Sequence, residues 1–173
     1  MTLLQTTLDA IRPVDAEVLA EATRRQDDLT KPPGSLGRLE TVAIRLCGIA
    51  GTVPPPVPER AAIGVFAGDH GICAQGVTPW PQDVTVQMLM NMASGGAAIN
   101  VLSRTFGADL LITDVGVAGD YPTDAANIRR RNVRRGTADF SQGPAMTRDE
   151  AVAAIEVGIA TAEEALDLSL IHI

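Results

Sequence analysis

Two short apolar runs in this chain each end in residues capable of chemistry. Ala61 to Ala67 runs into Gly68-Asp69-His70-Gly71, and Asp109 to Val115 runs into Gly116-Val117-Ala118-Gly119-Asp120. The glycines allow a ligand close to the backbone, Asp69 and Asp114 can orient an N–H or a hydroxyl, and His70 is one of only 2 histidines. In an open parallel sheet such strand ends gather loops and unpaired N–H groups, and ligands bind there. The plainer reading is that both aspartates cap helices and the glycines only close tight turns.

Gly76-Val77-Thr78-Pro79-Trp80-Pro81-Gln82 follows directly, carries the single Trp, and leads into Gln87, Met88, Met90 and Met92. Indole and thioether surfaces suit the faces of a flat heteroaromatic ring, and an amide suits a ring nitrogen. A Met-rich helix in an irregular core, pinned at its start by Trp80, has the same composition. Arg129-Arg130-Arg131-Asn132-Val133-Arg134-Arg135-Gly136-Thr137 is the one basic cluster. Arginine pairs bidentately with phosphate oxygens, and Gly136-Thr137 adds an N–H and a hydroxyl. Such a run equally makes a solvated loop or a subunit contact.

These groups need elements to hold them. The two apolar runs are short and continuous, as in strands buried on both faces. Between them Val84, Met88, Met92, Ala97, Val101 and Leu102 recur at helical spacing, with Ser94-Gly95-Gly96 dividing the stretch in two. Strand, helix, parallel strand is a βαβ unit. Upstream, Leu4, Leu8 and Ile11, then Val18, Leu19 and Ala22 predict two helices broken at Pro13, with Asp15 capping the second. Lys31-Pro32-Pro33-Gly34-Ser35-Leu36-Gly37-Arg38-Leu39-Glu40 is a rigid turn in which Ser35 can N-cap the next helix. That helix carries Leu39, Val42, Ala43, Leu46 and Ile49 on one face and ends at Gly51. Pro54-Pro55-Pro56 is a stiff linker. A last helix is started by Thr147 and Asp149-Glu150, with Val152, Ile155, Ile159, Ala162 and Leu166 as its stripe.

The 173 residues have 46% apolar content, 20% charged residues and 2 cysteines, the profile of one soluble globular domain or part of a larger one. A formal net charge of -7 argues against a protein built to grip nucleic acid or anionic lipid, so an anionic substrate needs a local site. Cys47 and Cys73 form no C-x-x-C, and no histidine stands at metal-ligand spacing, so neither zinc nor a disulfide framework is indicated. With no export signal and no long apolar stretch, the cytoplasm is the expected compartment.

Several blocks together resemble the nicotinate-nucleotide–dimethylbenzimidazole phosphoribosyltransferase family. They are Lys31 to Glu40, Ala67-Gly68-Asp69-His70-Gly71, Gly76 to Gln82 with Val84-Thr85, Gly95 to Asn100, Asp114-Val115-Gly116-Val117 and Gly143-Pro144-Ala145-Met146-Thr147-Arg148, all in family order. The resemblance implies an α/β enzyme with a parallel-sheet, Rossmann-like domain and an N-terminal helical subdomain, working as a homodimer without a cofactor. Its implied substrates are nicotinate mononucleotide and 5,6-dimethylbenzimidazole, in the lower-ligand branch of cobalamin synthesis. It places substrate-binding residues at Asp69, His70, Gly71, Thr78, Trp80, Gln87 and Met88. It also implies that the catalytic glutamate and a Gly-Glu-Met-Gly-Ile-Gly-Asn-Thr-Thr type loop lie downstream, so none of Glu150, Glu156, Glu163 and Glu164 is assigned as general base.

The expected organisation is a helical region over 1–53, a linker over 54–60, the first part of a truncated catalytic domain over 61–167, and a non-native tail over 168–173. Two other readings stand beside this one: a non-catalytic fragment that binds an aromatic base or only dimerises, and a metal-dependent hydrolase built on Asp69, His70 and Asp114.

Overall fold

The structure is a computed structural model describing residues 1–57 and 59–169. It divides into two compact units, Asp9–Glu59 and a second made of Met1–Leu8 with the described residues from Arg60 on.

The helical unit contains α2 (Ala16–Asp28) and α3 (Arg38–Ala50), packed on each other. Asp15 caps α2 as expected, its Oδ1 accepting from the N–H groups of Glu17 at 2.8 Å and Val18 at 3.1 Å. Ser35 does not cap α3. The N-cap is Gly37, with no side-chain hydrogen bond, and Gly51 closes the helix in the left-handed conformation at φ 68°. The turn before α3 is held instead by Glu40, whose Oε1 accepts from Lys31 Nζ at 2.7 Å and from the Leu36 N–H at 3.2 Å. Helix α2 meets α3 where α3 is slimmest: Val14 and Leu19 crowd the Cα of Gly48 so closely that a Cβ there would lie 2.3 Å from Val14 Cγ1. The expected stripe of α3 therefore stays largely exposed, Leu39 at 66% and Ile49 at 53%.

The α/β unit opens with α1 (Leu3–Ala10), whose Leu4 N–H donates to Glu156 Oε1 at 2.9 Å, and Pro13 follows the helix end as the sequence predicts. Strands β1 (Ala62–Gly68), β2 (Asp109–Gly116) and β3 (Ile128–Arg130) form a parallel sheet in the order β1-β2-β3. The β1 to β2 crossover is α4 (Asp83–Ala93) and α5 (Ala98–Phe106), divided at Ser94-Gly95-Gly96 as expected. Asn100 fixes that division, accepting from the Ala97 N–H at 3.1 Å and donating to Met92 O at 2.9 Å. The core on this face joins Leu89 of α4 to Ile112 and Val117.

Helix α6 (Arg148–Ser169) packs on β1 and β2. Thr147 and Glu150 form its capping box, the Thr147 N–H donating to Glu150 Oε2 at 2.7 Å and the Glu150 N–H to Thr147 Oγ1 at 3.2 Å. Three expectations are corrected here. First, β1 is an outer strand of this sheet and is only half-covered, with Phe66 49% exposed, so the continuous apolar run does not mean burial on both faces. Second, the α6 stripe does not face the sheet throughout: Ile155, Ala162 and Leu166 are exposed, while Ala154, Gly158 and the buried Thr161 lie on the other side of the helix. Third, the basic cluster begins with a strand, β3, that polar composition concealed. The expected tail, 168–173, lies mostly outside the described residues. Among the described residues no helix is long and apolar enough to cross a membrane.

Candidate functional site

The C-terminal ends of β1 and β2 are joined by backbone bonds that carry the sheet one step further. The Asp69 N–H donates to Gly116 O at 2.9 Å, the Gly136 N–H donates to the same oxygen at 2.9 Å, and the Thr137 N–H donates to Asp69 O at 2.9 Å. Gly71 extends this contact, its N–H donating to Thr137 O at 3.1 Å. The strand ends thus converge with the 136–139 segment into one layer.

The two aspartates singled out from the sequence are both buried, Asp69 at 5% and Asp114 at 3% exposure. Asp69 Oδ1 accepts from Thr85 Oγ1 at 2.7 Å and Oδ2 from the Ala118 N–H at 2.8 Å. Asp114 Oδ1 accepts from the Val117 N–H at 2.8 Å, and Oδ2 accepts from the Tyr121 hydroxyl at 2.6 Å. Asn132 Nδ2 donates to Asp114 Oδ1 at 3.1 Å. Successive N–H groups of the glycine-bearing turn after β2 are therefore occupied by carboxylates of the chain itself. The Val117 and Ala118 N–H groups are therefore already used and are not open to a phosphate. Desolvation and the Asp114 carboxylate push the Tyr121 hydroxyl up to about 12, while the Arg130 guanidinium 3.9 Å above the ring pulls the other way.

Gly71 serves the chain rather than an open approach: a Cβ there would lie 2.6 Å from backbone atoms of Thr137, Ala138 and Asp139. His70 is exposed. It lines an open groove of about 370 Å³ with Phe66, Ala67, Gly68, Val115, Ala154 and Gly158. Sequence reasoning missed the groove because Phe66 reads as core, and Ala154 and Gly158 read as filler between the larger residues of α6. The one available signal was the spacing of small residues at 154 and 158, four apart and so on one helix face.

The aromatic-base set follows the His70 turn in sequence. Trp80 is 68% exposed and Met88 44%, Gln87 is exposed and Thr78 half-buried. The core of α4 is made instead by Leu89, with Val86 and Met92 beside it. Trp80 and Met88 are therefore free surface and not the pinned core residues that the plainer reading supposed. Thr78 Oγ1 accepts from the Trp80 N–H at 3.3 Å, and Gln82 Nε2 donates to His70 O at 2.9 Å, tying the start of α4 to the turn.

Four of the five arginines of the cluster have side-chain partners within the chain. Arg129 forms a bidentate pair with Glu164 of α6, Nη2 to Oε1 at 2.6 Å, and Arg134 Nη1 reaches Glu150 Oε2 at 3.2 Å. Arg135 bonds Ala118 O and Asp120, and Arg130 bonds Pro122 O. Each glutamate is held below the usual carboxylate range, Glu164 chiefly by the Arg129 hydrogen bond and Glu150 chiefly by the Thr147 N–H. With Glu156 on the N-terminus of α1, three of the four glutamates considered above have structural partners. Among the described residues, no group of three or more His, Cys, Asp or Glu is placed to hold a metal ion, which leaves the hydrolase reading without a ligand set.

A family profile described as "Phosphoribosyltransferase" matches residues 11–171. The chain is 50% identical, over 95% of its length, to the nicotinate-nucleotide–dimethylbenzimidazole phosphoribosyltransferase of Salinispora tropica, and 52% identical over 96% to that of Chloroflexus aggregans. It covers 49% and 47% of those proteins, so it spans about half the length of the curated relatives it matches. The crystal structure of CobT from Thermus thermophilus aligns with a TM-score of 0.79 at 46% identity, covering 87% of this chain and 45% of that one. A further structure, of the nicotinate-nucleotide–dimethylbenzimidazole phosphoribosyltransferase of the same organism, aligns with a TM-score of 0.81 at 46% identity, over 88% of this chain and 46% of that one. The chain belongs to the nicotinate-nucleotide–dimethylbenzimidazole phosphoribosyltransferase family.

Proposed function

We propose that the protein to which this chain corresponds transfers phosphoribose from nicotinate mononucleotide to 5,6-dimethylbenzimidazole, releasing nicotinate and forming α-ribazole 5′-phosphate. The pyridinium of the donor is a cationic leaving group and needs no acid to expel it. A carboxylate takes the N–H proton of the benzimidazole while its other nitrogen attacks C1′ from the face opposite nicotinate, inverting β to α. In this reading the chain supplies the acceptor side: Trp80 and Met88 for the ring faces, Gln87 for a ring nitrogen, and Thr78, Asp69, His70 and Gly71 as the turn that frames them. The general base is supplied by residues beyond this chain. A homodimer in the cytoplasm, and the division at 1–53, 54–60 and 61–167, belong to the same proposal.

The observation that carries this reading is the exposure of Gln87 and Met88 on α4 and of Trp80 just before it, with the start of that helix bonded to the Asp69-His70 strand end. Trp80 is the only Trp in the chain, so its fluorescence reports on this exposed surface directly. Titration with 5,6-dimethylbenzimidazole gives a saturable change if this surface binds the base. A flat titration removes the acceptor-site reading and leaves a structural role. The purified chain forms no α-ribazole phosphate from the two substrates; detectable product would show that the chemistry needs nothing beyond it.

A further inference from the structure

We infer that Thr85 is a positioning residue, which, through Asp69, locks the base-binding face of α4 to the turn after β2. This rests on the acceptor-site reading above. Thr85 lies in the first turn of α4, where a threonine hydroxyl ordinarily finds a local partner. Here the hydroxyl donates to Asp69 Oδ1 at 2.7 Å, across 16 positions of sequence, and the Asp69 carboxylate accepts with its other oxygen from the Ala118 N–H at 2.8 Å. One buried carboxylate thus bridges three elements: the end of β1, the start of α4 and the turn after β2. Gln82 adds a parallel tie from the helix start to His70 O at 2.9 Å.

The geometry has a direct consequence for the site. Gln87 and Met88 follow Thr85 within one helical turn, so any rotation or slip of the α4 N-terminus is passed to them undiminished. The helix is only 11 residues long, so tertiary contacts, the buried Leu89 and these ties among them, hold it in place. Loss of the Thr85 hydroxyl leaves Asp69 Oδ1 buried without its partner. The carboxylate then has reason to turn, which loosens Ala118 at the same time as α4.

The test uses the 173-residue chain with Thr85→Val, which keeps the shape but removes the donor, and Thr85→Ser, which restores the donor. Amide hydrogen exchange without ligand reads the clamp. By order of magnitude, Thr85→Val speeds exchange at Ala118 and in the first turn of α4 at least about tenfold, with exchange in β2 unchanged, and Thr85→Ser stays within about threefold of the parent. Titration with 5,6-dimethylbenzimidazole, followed at Trp80, reads the consequence: Thr85→Val weakens binding at least about tenfold and Thr85→Ser restores it. Unchanged exchange at Ala118 overturns the clamp, as does equal binding by parent and Thr85→Val. If the exchange results hold but the parent chain does not respond to the base, the acceptor-site reading fails and the mechanical link between α4 and the turn stands. If Thr85→Val accelerates exchange throughout the sheet, the residue is a general stabiliser and the positioning role is rejected.

Discussion

Asp69 and Ala118, 49 positions apart in sequence, are joined by a 2.8 Å hydrogen bond from the Ala118 N–H to Asp69 Oδ2. The next N–H toward the N-terminus, that of Val117, goes to Asp114 Oδ1 at the same distance. Two buried carboxylates from neighbouring strands therefore hold successive amides of one turn, and that turn is a fixed wall of the strand-end region. Burying such polar groups is tolerable because each has several donors.

Gly71→Ala is expected to destabilise the protein by roughly 1–3 kcal/mol, the usual cost of overpacking a close contact. The atoms that an added Cβ would meet at 2.6 Å are backbone of 137–139, which cannot swing aside as a side chain would. Urea denaturation of parent and variant measures the difference; an unchanged midpoint would contradict the close approach.

Tyr121 is the only tyrosine in the chain, so ultraviolet titration of the folded protein follows its ionisation alone. The titration midpoint is expected near 12, against the ordinary 10.0. Because the folded value is raised, the associated stability is fully present below pH about 10 and is lost as pH rises from there toward about 12. Tyr121→Phe removes the hydroxyl bond to Asp114 and should cost about 1–2 kcal/mol at neutral pH while flattening that alkaline decline. An ordinary midpoint in the parent would show that the Asp114 bond is absent in solution.

The Arg129 and Glu164 pair ties β3 to α6, and Glu164 has its carboxyl held low by that bond. A depressed carboxylate contributes stability above its unfolded pKa that is lost as pH falls through the lower, folded one, so acid should weaken the α6 contact. Both side chains are partly solvated, so a double-mutant cycle of Arg129→Ala and Glu164→Ala should give a coupling of only about 0.2–1 kcal/mol. A coupling of several kcal/mol would mean that the pair is far more enclosed than the structure has it.

Leu89 and Leu39 offer a contrast between two leucines that each stand on a helix. Leu89 is 0% exposed and its change to Ala should cost about 2–5 kcal/mol, whereas Leu39, 66% exposed, should cost well under about 1 kcal/mol. Thermal unfolding of the two variants decides it. Equal losses would show that the outer face of α3 is covered in solution.

Much of the fold is legible in the order of residues. The breaks at Pro13 and Ser94-Gly95-Gly96, the Asp15 cap, the capping box at Thr147 and Glu150 and the parallel pairing of β1 with β2 all follow from local rules of geometry, capping and hydrophobic spacing. The motif blocks that resemble the phosphoribosyltransferases are equally open to reading, since they are strings of adjacent residues.

Other features depend on which segments meet. Ser35 has the right chemistry for a cap, but the Gly37 turn starts the helix two residues later. Leu39 and Ile49, Ile155 and Leu166 have the right periodicity for burial, yet α2 approaches α3 at Gly48, and the small residues Ala154 and Gly158 face the α6 side of the sheet. Periodicity locates an apolar face without saying which neighbour covers it. The same limit applies at the site. From sequence alone, Asp69, His70 and Gly71 are three consecutive polar or small residues of equal promise. Only tertiary structure separates them: Asp69 turns inward to Thr85 and Ala118, Gly71 yields its space to 137–139, and His70 remains exposed beside the groove. The physical reason is that a buried carboxylate must find donors wherever the chain can bring them, and those donors lie 16 and 49 positions away.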